Sequence, residues 1–151
     1  SVDTMARLFE LKNIAGVKDA TGDLNRLDET VKKLGNDFIQ LTGEDGLAFK
    51  FNKRGGVGII SVTANIAPKL CADMQKYSKS KSENEIKKAE EIDKTLQPLH
   101  KSLFIESNPA PVKYAASLLK LSLEDVRLPL VKVTDETKKI VKSALQGAKL
   151  I

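Results

Sequence analysis

The stretch Asn13-Ile14-Ala15-Gly16-Val17-Lys18-Asp19-Ala20-Thr21-Gly22 decides how the rest of the chain is read. Ile14 to Val17 is mostly apolar and runs directly into Lys18. A polar Asp-Ala-Thr-Gly segment follows, and an amphipathic pattern begins at Leu24. That order spells a buried strand, a short turn and a helix. Lys18 then stands at the carboxyl end of a strand, where strand-turn-helix folds place their chemistry. Burial disfavours the charged form of a lysine, so a desolvated amine at such a site can attack a carbonyl. The position equally suits a lysine at a strand tip that points into water.

Working outward, residues 2–11 read as a short helix, with Asp3 as its cap and Met5, Leu8 and Phe9 as its apolar face. Asp23 opens the next helix, in which Leu24, Leu27, Val31 and Leu34 recur at spacings of three and four, and Gly35 closes it. Phe38 to Leu41 is a second apolar run, followed by the turn Thr42-Gly43-Glu44-Asp45-Gly46 and a short helix through Phe51. Val57 to Val62 is a third strand, apolar on both faces, which suits a parallel sheet covered by helices. Alternating helices and strands with short loops argue for parallel βα units.

After Asn65 the alternation stops. Ile66, Leu70, Met74 and Tyr77 mark one helix, with Cys71 as a small buried thiol in its pattern. Ser82 and Glu85 form a capping-box signature for another, lined by Ile86, Ala89, Ile92, Leu96, Leu99 and Leu103. Pro98 inside that pattern should kink or divide the helix. Asn108 and Pro109 suit the start of a helix through Val112, Ala115 and Leu119, and Thr134 caps a last one through Leu145. The organisation expected is a βα part over residues 1–80 and a helical region over 81–151, with Ser78 to Ser82 as the boundary.

Composition narrows the class. The 151 residues, 41% of them hydrophobic, are enough for one sizeable core. No run approaches the roughly 20 apolar residues that cross a membrane, and the amino terminus lacks a secretory pattern, so a soluble cytoplasmic protein is expected. The single cysteine excludes an intrachain disulfide and a cysteine-rich zinc site. A net charge of +5 raises the question of nucleic acid. The lysines, however, are spread among acidic residues, as in Lys87-Lys88-Ala89-Glu90-Glu91, and aromatics are few, so a solvated basic surface is the reading. Three strands also leave a difficulty. A parallel sheet with both faces apolar needs closure or more strands, and a closed barrel of eight βα units takes roughly 250 residues. The expectation is a fragment of such a barrel.

Four motifs, in order along the chain, carry a family resemblance: Gly16-Val17-Lys18-Asp19-Ala20-Thr21-Gly22, Leu41-Thr42-Gly43-Glu44-Asp45, Gly58-Ile59-Ile60-Ser61-Val62-Thr63-Ala64-Asn65 and Glu106-Ser107-Asn108-Pro109-Ala110-Pro111-Val112-Lys113. Together they resemble the dihydrodipicolinate synthase (4-hydroxy-tetrahydrodipicolinate synthase) family. The lysine motif alone would also suit sialic-acid lyases and sugar-acid aldolases of the same superfamily. The resemblance implies the carboxyl-terminal half of such an enzyme: an α/β fold holding the last three strands of a (β/α)8 TIM barrel, followed by an all-helical region.

It further implies that Lys18 forms a Schiff base with pyruvate, which then condenses with aspartate semialdehyde in lysine biosynthesis, without a metal or a cofactor. By the same resemblance Gly43 lies at the mouth of the pyruvate pocket, and the backbone of Ile60 lies beside the pyruvate carboxylate. Read without it, Gly43 is an ordinary turn glycine and Ile60 is core. Thr21, Ser61 and Asn65 are polar groups near strand ends, suited to the pocket or to turns and caps. The family's pyruvate-binding threonines, its proton-relaying tyrosines and the arginine that receives the aldehyde's carboxylate belong to the other half. Tyr77 and Tyr114 do not replace those tyrosines, nor Arg26, Arg54 or Arg127 that arginine. His100 reads as structural, and Glu106 as ordering a helix junction. The partner expected is a second copy or the missing amino-terminal half. A related pyruvate aldolase, or an inert assembly fragment, are the alternatives that the sequence leaves open.

Overall fold

In the computed structural model, which describes residues 1–151, the expected alternation is present. It runs α1 (Val2–Phe9), β1 (Gly16–Asp19), α2 (Leu24–Leu34), β2 (Ile39–Thr42), α3 (Ala48–Lys53) and β3 (Gly58–Ile59). Four helices follow: α4 (Pro68–Ser78), α5 (Glu83–Ser102), α6 (Ala110–Leu118) and α7 (Asp135–Gly147). The chain divides into two compact units, Ser1–Ser61 and Val62–Ile151. The division precedes α4, which packs on α5, and so comes earlier than the Ser78–Ser82 segment.

The first unit is a three-stranded parallel sheet in the order β1-β2-β3, with Lys18 opposite Leu41 and Leu41 opposite Gly58. Side chains alternate across a sheet, so Lys18, Ile39, Leu41 and Ile60 share one face, and Val17, Asp19, Gln40, Thr42 and Ile59 share the other. The second face is covered by α2 and α3, whose Leu27 and Phe51 are buried, and Gln40 and Thr42 are buried there with them. The first face is open: Ile39 is 45% and Ile60 52% exposed. The covering of both faces expected from the apolar runs is therefore half realised. Strand β3 is also shorter than the run Val57–Val62, because β2 ends at Thr42, where the chain turns toward a 3₁₀ turn at Asp45–Leu47.

Local signals explain most element ends. Asp23 accepts the Asn25 amide at the start of α2, and Gly35 closes that helix at φ +78°, a left-handed conformation that favours glycine. At α1 the cap is Ser1 rather than Asp3. Ser1 Oγ accepts the Thr4 amide at 3.1 Å, whereas Asp3 lies in the first turn and pairs with Lys33. A close approach of β1 to β2 makes Gly16 necessary, since a Cβ there would sit 2.0 Å from the Ile39 carbonyl oxygen.

The second unit is helical throughout, apart from a 3₁₀ turn at Thr63–Asn65 and irregular loops. Its core is built from Met74, Ala89, Leu96, Leu99, Leu103, Ala115, Val141 and Leu145, all at most 2% exposed. Cys71 is buried in α4, as its position in the pattern implied. Pro98 does not divide α5. Losing one backbone bond costs a helix interior about 3 kcal/mol, and the fully buried Leu96, Leu99 and Leu103 on either side hold the two halves in register. The capping box at Ser82 is replaced by a neighbour: Ser80 Oγ accepts the Ser82 amide at 3.0 Å and donates to Glu85. His100 is buried, with Nδ1 2.7 Å from Thr63 Oγ1.

Glu106 orders the start of α7. Its carboxylate accepts the Thr134 amide at 3.0 Å and the Thr134 hydroxyl at 2.8 Å, while Thr134 Oγ1 caps the Thr137 amide. Hydrogen bonds from the Thr137 hydroxyl, then from the amide and hydroxyl of Thr134, hold the Glu106 carboxyl below its ordinary value, against a smaller effect of burial. A carboxyl lowered on folding adds stability that is complete above its unfolded pKa, about 4.3, and is lost as pH falls through its lower folded value. Glu106→Gln should therefore destabilise the helical unit at pH 7, and the gap to the wild type should close toward pH 3 in urea denaturation. Thr134→Ala should cost about 1 kcal/mol for its cap at low pH, and more at pH 7, because it also removes a hydroxyl that stabilises the Glu106 carboxylate. A pH-independent gap for Glu106→Gln would contradict this account.

The open face and the two unpaired strand edges should also drive association. Sedimentation velocity at micromolar concentration should show dimers or larger species; a stable monomer would contradict it.

Candidate active site

The turn after β1 is fixed by Asp19. Its Oδ1 accepts the Thr21 amide at 2.8 Å and the Thr21 hydroxyl at 2.6 Å, and its Oδ2 accepts Arg26 Nε from α2 at 2.5 Å. Burial pushes this carboxyl up, but the Thr21 hydroxyl and amide and the Arg26 guanidinium outweigh it, so Asp19 lies below the usual carboxylate range. The peptide that carries Lys18 is thus held between a strand ladder and a closed turn. Thr21 serves that turn, and Asn65 Nδ2 donates to the Val62 carbonyl at 3.0 Å, so both polar groups have structural partners.

Lys18 projects from the open face and is exposed. Its side chain lies over Gly43 at the tip of β2: a Cβ placed on Gly43 would be 2.6 Å from Lys18 Cε and 2.8 Å from Ala20 Cβ. The Gly43 amide donates to the Asp19 carbonyl at 2.7 Å, which ties the two strand tips together. Gly43 is therefore small because Ala20, which unlike the end of the lysine cannot swing aside, crowds it together with Lys18; this reason differs from the positive φ that explains Gly35. Ile60 follows β3 on the same face, and its amide donates to the Thr42 carbonyl at 2.9 Å. What it offers a ligand is its side chain and carbonyl.

The structure thus brings Lys18 and Gly43 together directly and sets Ile60 on the same open face. A small cavity of about 10 Å³ between Asp19, Leu27, Thr42 and Phe51 lies under the helices on the opposite face. It holds about one water and does not include the lysine. Sequence reasoning assigned no role to Asp45. It is 1% exposed and accepts a hydrogen bond from the Ser61 hydroxyl. Nothing local in the sequence marks it as buried, since its partner lies sixteen residues away.

An exposed amine at the carboxyl end of a parallel strand, laid over a glycine at the next strand's tip, defines an α/β protein that presents a lysine at the strand-end face of its sheet. Residues 1–148 match the family described as the dihydrodipicolinate synthetase family, and the chain belongs to it.

Among relatives, the 4-hydroxy-tetrahydrodipicolinate synthase of Pelagibacter ubique is 66% identical over all 151 residues, which cover 52% of its length. That of Methylobacterium radiotolerans is 52% identical, with all of this chain and 50% of the relative covered. The fold matches the solved dihydrodipicolinate synthase of Aquifex aeolicus with a TM-score of 0.92 at 36% identity, over 99% of this chain and 50% of that one. It matches the chloride-inhibited enzyme of Acinetobacter baumannii complexed with pyruvate with a TM-score of 0.93 at 37% identity, over 100% and 51%. The chain spans about half the length of the curated relatives it matches.

The geometry makes Gly43→Ala a direct probe. The new methyl must displace the Lys18 side chain and press on Ala20, at a cost of about 1–3 kcal/mol for overpacking. The variant should keep its far-ultraviolet circular dichroism, unfold at lower urea, and show an altered rate of Lys18 acetylation relative to the other lysines. Unchanged stability together with an unchanged Lys18 rate would contradict the contact.

Proposed function

We propose that this chain is the carboxyl-terminal half of a dihydrodipicolinate synthase, contributing the last three strands of a (β/α)8 barrel and its helical region, and that Lys18 is its nucleophile. The neutral amine adds to the keto carbon of pyruvate, and water leaves to give an iminium. Loss of a methyl proton gives an enamine, whose carbon attacks the aldehyde of aspartate semialdehyde. Hydrolysis then returns the amine. Gly43 leaves room at the mouth of the pocket, and Ile60 borders the pyruvate carboxylate. The observation that carries this reading is the passage of the Lys18 side chain over Gly43 on the open sheet face. The family match over residues 1–148 supports it.

The same face explains why the chain alone should be inactive. An exposed amine lacks the desolvation that favours the neutral, nucleophilic form. By resemblance, the hydroxyls that hold the carboxylate and the tyrosines that move protons lie outside this chain. General acid–base help is worth roughly 10² to 10⁴ in rate, and its loss is compounded by the loss of positioning.

Mass spectrometry after treatment with pyruvate and borohydride tests this. The chain alone should be labelled at Lys18 weakly or not at all. Mixed with a separately produced amino-terminal half, it should be labelled selectively at Lys18 and gain condensation activity, and Lys18→Ala should lose both. Strong selective labelling of the chain alone would overturn the need for a second half. Activity in the Lys18→Ala mixture would remove Lys18 from the mechanism.

A further inference from the structure

Asp45 is the only acidic side chain among the buried residues of the chain. It begins the 3₁₀ turn that follows Gly43 and Glu44, and its Oδ1 accepts the hydroxyl hydrogen of Ser61, the residue directly after Ile60. Burying a carboxylate is costly unless hydrogen bonds compensate it, and a bond to an ionised acceptor is shorter and more directional than a neutral one. Closing a turn against a sheet requires no such group, since an apolar side chain of similar size would fill the space. What the pair achieves is specific to its place. The segment after β2 and the segment after β3 are linked through the backbone, by the Ile60 amide on the Thr42 carbonyl at 2.9 Å, and also through these side chains. The two joints bracket Gly43 on one side and Ile60 on the other.

We infer that Asp45 is a positioning residue. Through Ser61 it fixes the spacing of Gly43 and Ile60, and so holds the place where a 2-keto acid sits, its carboxylate beside Ile60 and its keto carbon toward Lys18. The inference rests on the proposed function, which supplies the substrate; the Asp45–Ser61 link itself does not depend on that reading. Because the pair acts on the bound keto acid before the bond-forming step, its loss falls mainly on KM for pyruvate rather than on kcat. An amide at position 45 can still accept the Ser61 hydroxyl, so Asp45→Asn keeps the link while Asp45→Ala and Ser61→Ala break it.

The test uses the chain reconstituted with its amino-terminal half. Ser61→Ala, the mildest truncation, should raise KM for pyruvate about tenfold, the equivalent of one broken hydrogen bond to a charged group, with kcat changed less than about twofold. Amide hydrogen exchange at Gly43 and Ile60 should quicken in the same variant. Asp45→Asn should return KM to within about threefold of the wild type, and Asp45→Ala should not. Faster exchange with an unchanged KM would leave the pair a purely structural staple and overturn the proposal. So would a fall in kcat at constant KM, or a failure of Asp45→Asn to restore KM. An absence of pyruvate labelling at Lys18 in the wild-type mixture would overturn the functional reading, and the proposal with it. An unchanged KM with labelling intact would overturn the positioning role alone.

Discussion

A parallel strand hydrogen-bonds on both edges and presents side chains on both faces, and three such strands cannot satisfy all of these demands by themselves. In the first unit α2 and α3 cover one face, over Gln40 and Thr42, while Ile39, Lys18 and Ile60 occupy the other in the open. Much of what distinguishes this unit follows from that one-sidedness. The buried polar residues of the sheet lie under helices, and the exposed face carries large apolar side chains around a single amine. This reverses the usual soluble pattern, in which the solvated face of a sheet is polar. Covering a sheet face of that composition would bury its apolar side chains, and closing a barrel is the arrangement that removes an open face and free edges at once.

Charge placement on this sheet is equally constrained. Asp19 adjoins Lys18 in sequence, yet strand alternation sends its carboxylate to the opposite face, where Thr21 and Arg26 occupy it. On the proposed reading, a carboxylate beside the lysine would favour the charged form of its amine. The period of two avoids this with adjacent residues and uses the displaced carboxylate to lock the turn. One residue of shift in register would turn the arrangement over, and the requirement for Gly16 against the Ile39 carbonyl helps to prevent such a shift.

The parts legible in the sequence are those whose causes are local. Asp23, Gly35 and Thr134 sit where caps are expected because each satisfies its own helix end within three or four residues. The apolar spacing of Leu96, Leu99 and Leu103 likewise reports a buried stripe directly. Failures arise where a second local solution or a distant contact competes. Ser82 remains the N-cap of α5, but Ser80 accepts the Ser82 amide that a capping box assigns to Glu85, and Pro98 is carried through α5 by packing that a propensity argument does not contain. The apolar run Val57–Val62 indicates a strand but not its end, because the partner β2 sets that limit at Thr42. Within the candidate site, the position of Lys18 on a strand end was readable from hydropathy. Its contact with Gly43 and the burial of Asp45 were not, since each depends on where two segments meet in space.

The contrast between Lys18 and Asp45 is the last consequence of the open face. Both are ionisable, Lys18 near the end of β1 and Asp45 in the turn after β2, but only Asp45 is already buried and hydrogen-bonded. Fixed geometry that must exist before a substrate arrives can be completed within three strands, because the atoms it joins are all present. Desolvation of an amine cannot, because it needs atoms on the side that these strands leave uncovered. On the proposed reading, the site therefore divides into a preorganised frame of Gly43, Asp45, Ile60 and Ser61, complete in this chain, and a reactive amine whose chemistry waits on enclosure. That division follows from where a parallel sheet keeps its two faces, and it would hold for whichever 2-keto acid occupied the site.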